Sequence, residues 1–323
     1  MKTLFSAFLV LTFWSKAQCQ SFTYFNKTYE PDTVNLLTPA LLAVEDGYLL
    51  ASPYGYHISG YHSYCLRKTD LQGNPVWIQM YETSDNLVYA IEGGILIPAP
   101  DDNFLLVGAR NYNSGGESNL DVTMIKVRSD GSLIWANHIP RPETHENVLS
   151  VLPTHDGNYV FCGTRRSTTG NDYNHVYLLR TDSLGNFLSD TLLHPERKGF
   201  SARIINALDG GYMIGGYLTN PIADPGTPIA DPYIVKWGED GTVEWERTYG
   251  GIGNDGGSTI TAWGDQHYLV LGALTENDTI QHYILKIKAD NGDTVWTRTY
   301  QQPNCAHSSA FNGQLLTSDG GFV

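Results

Sequence analysis

Carboxylates such as Asp224, Asp231 and Asp255 of this 323-residue sequence could meet across a ring of repeats and act as an acid–base pair. Two carboxylates that meet across a cleft can divide the roles of general acid and general base, the arrangement that hydrolyses glycosidic bonds. A second set of residues points to recognition. Tyr54, Tyr56, His57, Tyr61 and His62 lie close together, Tyr112, Asn113, Glu117 and Asn119 follow, and then Arg165, Arg166, Asp172 and Tyr173. Aromatic faces, amides and mixed charges in such groups can hold a glycan or a peptide. The usual catalytic signatures are missing. The ten histidines are scattered, without a His-x-x-x-His zinc pair, and there is no Gly-x-Ser-x-Gly elbow and no Gly-Lys-Ser/Thr phosphate loop. No Asp-x-Asn/Asp-x-Asp-Gly loop suggests calcium. No metal or cofactor is therefore expected.

The elements that would position these groups are repeated. An aromatic residue following a turn rich in Asp and Gly recurs at Tyr48, Phe104, Tyr159, Tyr212, Tyr268 and Phe322, in steps of 56, 55, 53, 56 and 54 residues. Gly73 and Trp77, Gly131 and Trp135, Gly241 and Trp245, and Gly292 and Trp296 are each four apart. The third unit has Ser189 at the tryptophan position, and Phe187 is the residue expected to fill that space. Within a unit, Val148 to Leu152, Tyr159 to Gly163, His175 to Thr181 and Phe187 to Leu193 read as strands separated by turn residues, and no stretch keeps a helical period. Four antiparallel strands per unit of this size describe a propeller blade. The expected fold is an all-β β-propeller of about six blades: 30–81, 82–139, 140–193, 194–249, 250–300 and a partial 301–323. Because the last unit stops inside its second strand, a C-terminally truncated chain is expected. The segment Phe25–Tyr29 resembles a fourth strand without its first three, suited to closing the ring. Such closure would bring Cys19 to Cys305, the candidate disulfide pair; Cys65 and Cys162 fall in strand-like runs and are expected to be buried thiols.

Lys2, the apolar run from Leu4 to Trp14 and the small-residue site Ser15-Lys16-Ala17 read as a signal peptide over 1–17, leaving a single domain over 18–323 with no membrane span. With 34 acidic and 20 basic side chains the formal net charge is −14, which disfavours nucleic acid as a partner. Five tripeptides, among them Asp32-Thr33-Val34 and Asp182-Ser183-Leu184, match the pattern of bacterial O-glycosylation acceptors.

The run Asp209-Gly210-Gly211-Tyr212, the spacing from Lys236 to Gly241 and the element Gly241-x-x-x-Trp245-x-x-x-Tyr249 resemble the secreted β-propeller repeat proteins on the surface of bacteria with type IX secretion. The resemblance covers about 30 to 323. The Gly-x-x-x-Trp element is also similar to the tryptophan-docking repeats of quinoprotein dehydrogenases, whose cofactor and calcium site does not map residue by residue onto this sequence. The resemblance implies a secreted or outer-surface monomer.

In an up-and-down blade, the turns joining strands one to two and three to four lie on one edge, and all other connections lie on the opposite edge. The latter are the longer ones here, including 108–121, 163–174 and 216–232, and function favours long connections on a rigid scaffold. The expected function is binding or structural and non-catalytic, with a glycan or protein ligand at Tyr54, Tyr56, His57, Tyr61, Tyr112, Arg165, Arg166 and Tyr173. Trp77, Trp135, Trp245 and Trp296 are assigned to the repeat itself. The alternative is a propeller enzyme acting on polysaccharide through carboxylates of the same edge.

Overall fold

The structure, a computed structural model, describes residues 40–55, 62–81, 94–114, 117–169, 173–219, 229–250, 253, 255–256, 259–276 and 279–301. The 1–17 segment, Phe25–Tyr29, Cys19, Cys305 and the partial unit after residue 301 lie outside them.

Twenty strands form five antiparallel four-stranded sheets, each a meander in chain order. The first sheet is β1 (Ala40–Val44), β2 (Gly47–Gly55), β3 (His62–Thr69) and β4 (Pro75–Tyr81). The second is β5 (Ile95–Pro98), β6 (Phe104–Ser114), β7 (Glu117–Val127) and β8 (Leu133–Ile139). The third is β9 (Thr144–Pro153), β10 (Tyr159–Ser167), β11 (His175–Thr181) and β12 (Phe187–Leu193). The fourth is β13 (Gly199–Asn206), β14 (Tyr212–Thr219), β15 (Ala230–Trp237) and β16 (Val243–Thr248). The fifth is β17 (Thr259–Trp263), β18 (His267–Glu276), β19 (Thr279–Lys288) and β20 (Thr294–Gln301). Among the described residues no helix is long and apolar enough to cross a membrane.

Each sheet packs on the next. Tyr64 and Leu66 of the first share a core with Leu106 and Ile125 of the second. Leu105 and Met124 of the second meet Tyr159, Phe161 and Tyr177 of the third. Val160, Cys162 and Leu178, from the other face of the third, meet Ile214, Tyr233 and Trp237 of the fourth, and Met213 and Ile234 of the fourth meet Tyr268 and Leu285 of the fifth. Successive residues of a strand point to opposite faces, so a middle strand sandwiched between two sheets is apolar throughout rather than alternating. The first six residues of β10 are accordingly all buried. Each fully buried side chain of this size contributes roughly 2–3 kcal/mol. Cys65 and Cys162 are buried free thiols within these cores.

The turn between the third and fourth strands is stereotyped. Asp70 Oδ1 accepts from the backbone N–H groups of Gln72 (2.9 Å) and Asn74 (2.7 Å), and Asp182 does the same for Leu184 (2.9 Å) and Asn186 (2.8 Å). The turn glycine adopts positive φ, 83° at Gly131, and the fourth-strand tryptophan of the preceding sheet rests on it. A β-carbon on Gly131 would lie 2.9 Å from Trp77 ring atoms, one on Gly185 2.9 Å from Trp135, and one on Gly292 2.7 Å from Trp245. Tyr81 and Tyr249, four residues after their tryptophans, donate hydroxyl hydrogen bonds to the carbonyls of Gly131 (2.6 Å) and Gly292 (2.5 Å).

The third sheet solves the same junction differently. Phe187, the residue expected to replace the missing tryptophan, is instead 45% exposed beneath the Arg141 guanidinium. Its place against Gly241 is taken by Arg180, which lies over the buried Trp237 ring at 5.9 Å and donates to the Glu239 carbonyl at 2.5 Å. Phe187 pairs with Thr181 on the face turned to the second sheet, whereas Arg180 projects from β11 toward the fourth sheet.

Candidate functional site on the long-connection edge

Register fixes where the expected binding residues stand. Tyr54 is in β2 opposite Ser63, Tyr112 is in β6 opposite Asn119, Arg165 and Arg166 are near the end of β10, and Tyr173 directly precedes β11. Tyr56, His57 and Tyr61 lie outside the described residues. The stretch 108–121, expected as a loop, is instead a continued hairpin: β6 and β7 remain paired as far as Ser114 and Glu117. The fifth sheet extends similarly to Glu276 and Thr279. Part of this edge is therefore raised ladder rather than loop.

The densest polar constellation lies where the second and third sheets meet on this edge. Asp190 of β12 accepts, on the single oxygen Oδ2, hydrogen bonds from Arg165 Nη1 (2.7 Å), Arg141 Nη2 (2.8 Å) and the Tyr177 hydroxyl (3.4 Å). The Arg165 guanidinium also covers the Tyr177 ring at 4.9 Å. Behind them, Asp121 of β7 accepts the Arg141 backbone N–H at 2.9 Å. Glu146 of β9 is only 1% exposed. Its Oε1 takes the Thr144 hydroxyl, while Oε2 has no hydrogen-bond partner. Burial pushes the Glu146 carboxyl up to about 7, with the Asp121 charge adding to the rise and the Thr144 bond and the two guanidiniums opposing it. Such a group can give or take a proton near neutral pH.

The fourth sheet repeats the theme with other residues. The Tyr233 hydroxyl donates to Glu246 Oε2, and His194, from the connection between sheets, brings Nε2 to 3.0 Å of the same oxygen. His194 Nδ1 lies 3.1 Å from Glu196, and the imidazole meets the Tyr233 ring edge-on at 5.7 Å. Burial works against the His194 charge, but the bonds and charges of Glu246 and Glu196 outweigh it and hold the imidazole above its usual value. The corresponding tyrosine of the fifth sheet, Tyr283, and Tyr64 of the first sheet, one position out of step and facing the following sheet, have buried hydroxyls without a hydrogen-bond partner. Burial raises both phenols.

Of the three aspartates singled out by type, Asp231 and Asp255 are both buried and border the same point. A β-carbon on Gly250 would lie 2.3 Å from Asp231 Oδ1 and 3.1 Å from Asp255 Oδ2. They belong to one local junction, tied by the Asp255 N–H bond to the Ala230 carbonyl at 2.7 Å, rather than to a pair spanning distant units. Asp224 is outside the described residues. No group of three or more metal-ligating side chains occurs among the described residues. A cavity of about 310 Å³ is lined by Gln79, Tyr81, Ile125 and Gly131, at the tryptophan-docking junction of the first and second sheets and away from these clusters.

Sequence reading missed Glu146, Asp190, Tyr177 and Arg141. A usable signal was an acid in the fourth strand, Asp190 or Glu246, facing a third-strand tyrosine, Tyr177 or Tyr233.

No protein-family model matches the chain, and no curated protein matches it. Among solved structures, a polysaccharide lyase of a new family, PL25 ulvan lyase, is 10% identical with a TM-score of 0.53, over 81% of this chain and 70% of that one. Cobalt-substituted Synechocystis ACO is 12% identical with a TM-score of 0.49, over 83% and 62%. An ACO/RPE65 chimera is 13% identical with a TM-score of 0.48, also over 83% and 62%. The chain thus spans less than two thirds of the oxygenase structures it matches. At such identities the lyase likeness is one of all-β fold, built here from repeated four-stranded sheets.

Proposed function

We propose that the chain is an exported, non-catalytic propeller scaffold of about six blades that binds a glycan or protein at the cell surface or outside the cell. Its ligand side is the long-connection edge. One observation carries the reading: the acids at the centre of that edge are paired or buried. Asp190 is held by Arg141 and Arg165, and Glu146 is 1% exposed. They serve to join sheets, which leaves Arg166 and Tyr173 as outward-facing groups. The type IX affiliation, the 1–17 signal peptide and a Cys19–Cys305 bridge are parts of the same proposal. The test is saturation binding to a panel of polysaccharides and surface proteins, with product analysis of each mixture. Saturable binding without product supports it, and product release overturns it.

Glu146 gives the second reading its footing. A carboxyl pushed to about 7, with one oxygen unpartnered beside two guanidiniums, is suited to a polysaccharide-cleaving propeller enzyme. That reading requires product formation that Glu146→Gln abolishes while binding persists.

A further inference from the structure

We infer that the long-connection edge at the junction of the third and fourth sheets is a subsite for an anionic polysaccharide, in which Tyr173 and Lys198 receive a sugar unit bearing carboxylate or sulfate and Arg166 receives a neighbouring charge. The inference rests on the binding role proposed above and names its ligand class.

The protein carries a formal charge of −14, and many of its described cations are held by acids. Lys68 pairs with Asp46, Lys126 with Asp101, Lys236 with Asp209 and Glu244, and Arg141 and Arg165 with Asp190. Lys198 and Arg166, like Arg203 and Lys286, have no carboxylate partner among the described residues. The Lys198 ammonium instead lies 3.7 Å from the centroid of the Tyr173 ring, which is 50% exposed. An ammonium on an aromatic face keeps its charge available to an incoming anion.

The subsite is built in advance. Gly199 N–H donates to the Asn174 carbonyl at 2.8 Å, which fastens the start of β13 to the segment preceding β11. The Lys198 N–H donates to Thr219 Oγ1 at 3.1 Å, Arg197 Nε donates to the Thr219 carbonyl at 2.6 Å, and His175 Nδ1 lies 2.9 Å from the Arg197 carbonyl. Backbone fixed in this way loses little further freedom on binding. Arg166 joins the site through its place in β10, one residue beyond Arg165, whose pairing with His175 is the last between β10 and β11; Tyr173 lies two residues before His175. Arg165 turns to the second sheet to reach Asp190, so Arg166 points to the other face, that of the fourth sheet. Of the described acids nearby, Glu196 is engaged by His194, and Glu143 forms no ion pair with Arg166 or Lys198.

A flat ring beside fixed cations suits a charged sugar, whose C–H face can lie on the tyrosine while its acidic group meets the ammonium.

The test is affinity electrophoresis of the whole chain in gels containing polygalacturonate, a sulfated galactan, neutral laminarin or polyglutamate. Retardation by an acidic polysaccharide that weakens with salt, exceeds that by laminarin and polyglutamate, and falls about tenfold in Lys198→Ala/Arg166→Ala is the expected result. Lys198→Arg should restore most of the Lys198 share, which separates lost charge from lost folding. Equal retardation by polyglutamate, or retardation by an acidic polysaccharide that both variants leave unchanged, overturns the subsite. Binding of laminarin alone overturns the ligand class and leaves the binding role standing; an absence of binding across this panel and a protein panel overturns both.

Discussion

The indole of Trp77 lies against Gly131 of the following sheet so closely that a β-carbon there would stand 2.9 Å from two ring atoms. The same tryptophan–glycine relation joins the second sheet to the third and the fourth to the fifth, so the junction between units is a repeated device. It explains why the glycine and the tryptophan recur together: each tryptophan needs the glycine of the next unit.

Gly131→Ala should destabilise the protein by roughly 2–4 kcal/mol, because it adds steric overlap with Trp77 to the strain of a positive φ. Gly210, at φ 98° with nothing within 4 Å of a new β-carbon, is the control. Gly210→Ala should cost only about 1 kcal/mol. Urea titrations followed by tryptophan fluorescence compare the two, and equal losses would refute the docking role.

At the third sheet the docking residue is Arg180. Arg180→Ala removes the contact with Trp237 and the bond to the Glu239 carbonyl, and should cost about 1–2 kcal/mol. Phe187→Ala, at an exposed site, should cost less in the same titration.

Glu146 sets a pH dependence. Its carboxyl rises from 4.5 to about 7 on folding, so the folded state binds the extra proton between those values and stability falls as pH rises through them. At pH 8 the accumulated penalty is about 3 kcal/mol at 1.36 kcal/mol per pH unit. Glu146→Gln should therefore flatten the profile and be more stable than the parent above neutrality. Thermal melts across pH 5–8 check this.

His194 acts in the same direction. Its folded value is raised, so the stabilisation from its pairing with Glu246 and Glu196 is fully present below the unfolded value and is lost as pH rises through the folded one. His194→Gln should lower stability at mildly acidic pH and have little effect at alkaline pH. Imidazole titration by nuclear magnetic resonance should show a midpoint above the ordinary histidine value.

The four-stranded units were legible because their signals are local: an aspartate and a glycine shape a turn, and an aromatic opens the next strand. The polar clusters were not. Asp190 sits in an outer strand where a charge normally means solvent, and its partners Arg141 and Arg165 reach it only through the sheet register and the packing of neighbouring sheets. The paired extension of β6 and β7 to Ser114 and Glu117 was hidden for a related reason. Backbone ladder bonds need no hydrophobic pattern, so Asn111 to Ser114 looks like loop. Arg180 was overlooked at the third junction because a missing tryptophan suggests an aromatic replacement, whereas the aromatic surface, Trp237, is supplied by the next sheet.

The most direct test of the account is a saturation-binding experiment on the exported protein with polysaccharide and protein ligands, with products analysed in the same samples. The account predicts saturable binding without turnover, weakened by substitutions at Arg166 and Tyr173 and unaffected by Glu146→Gln. Release of cleaved product that Glu146→Gln abolishes would contradict it.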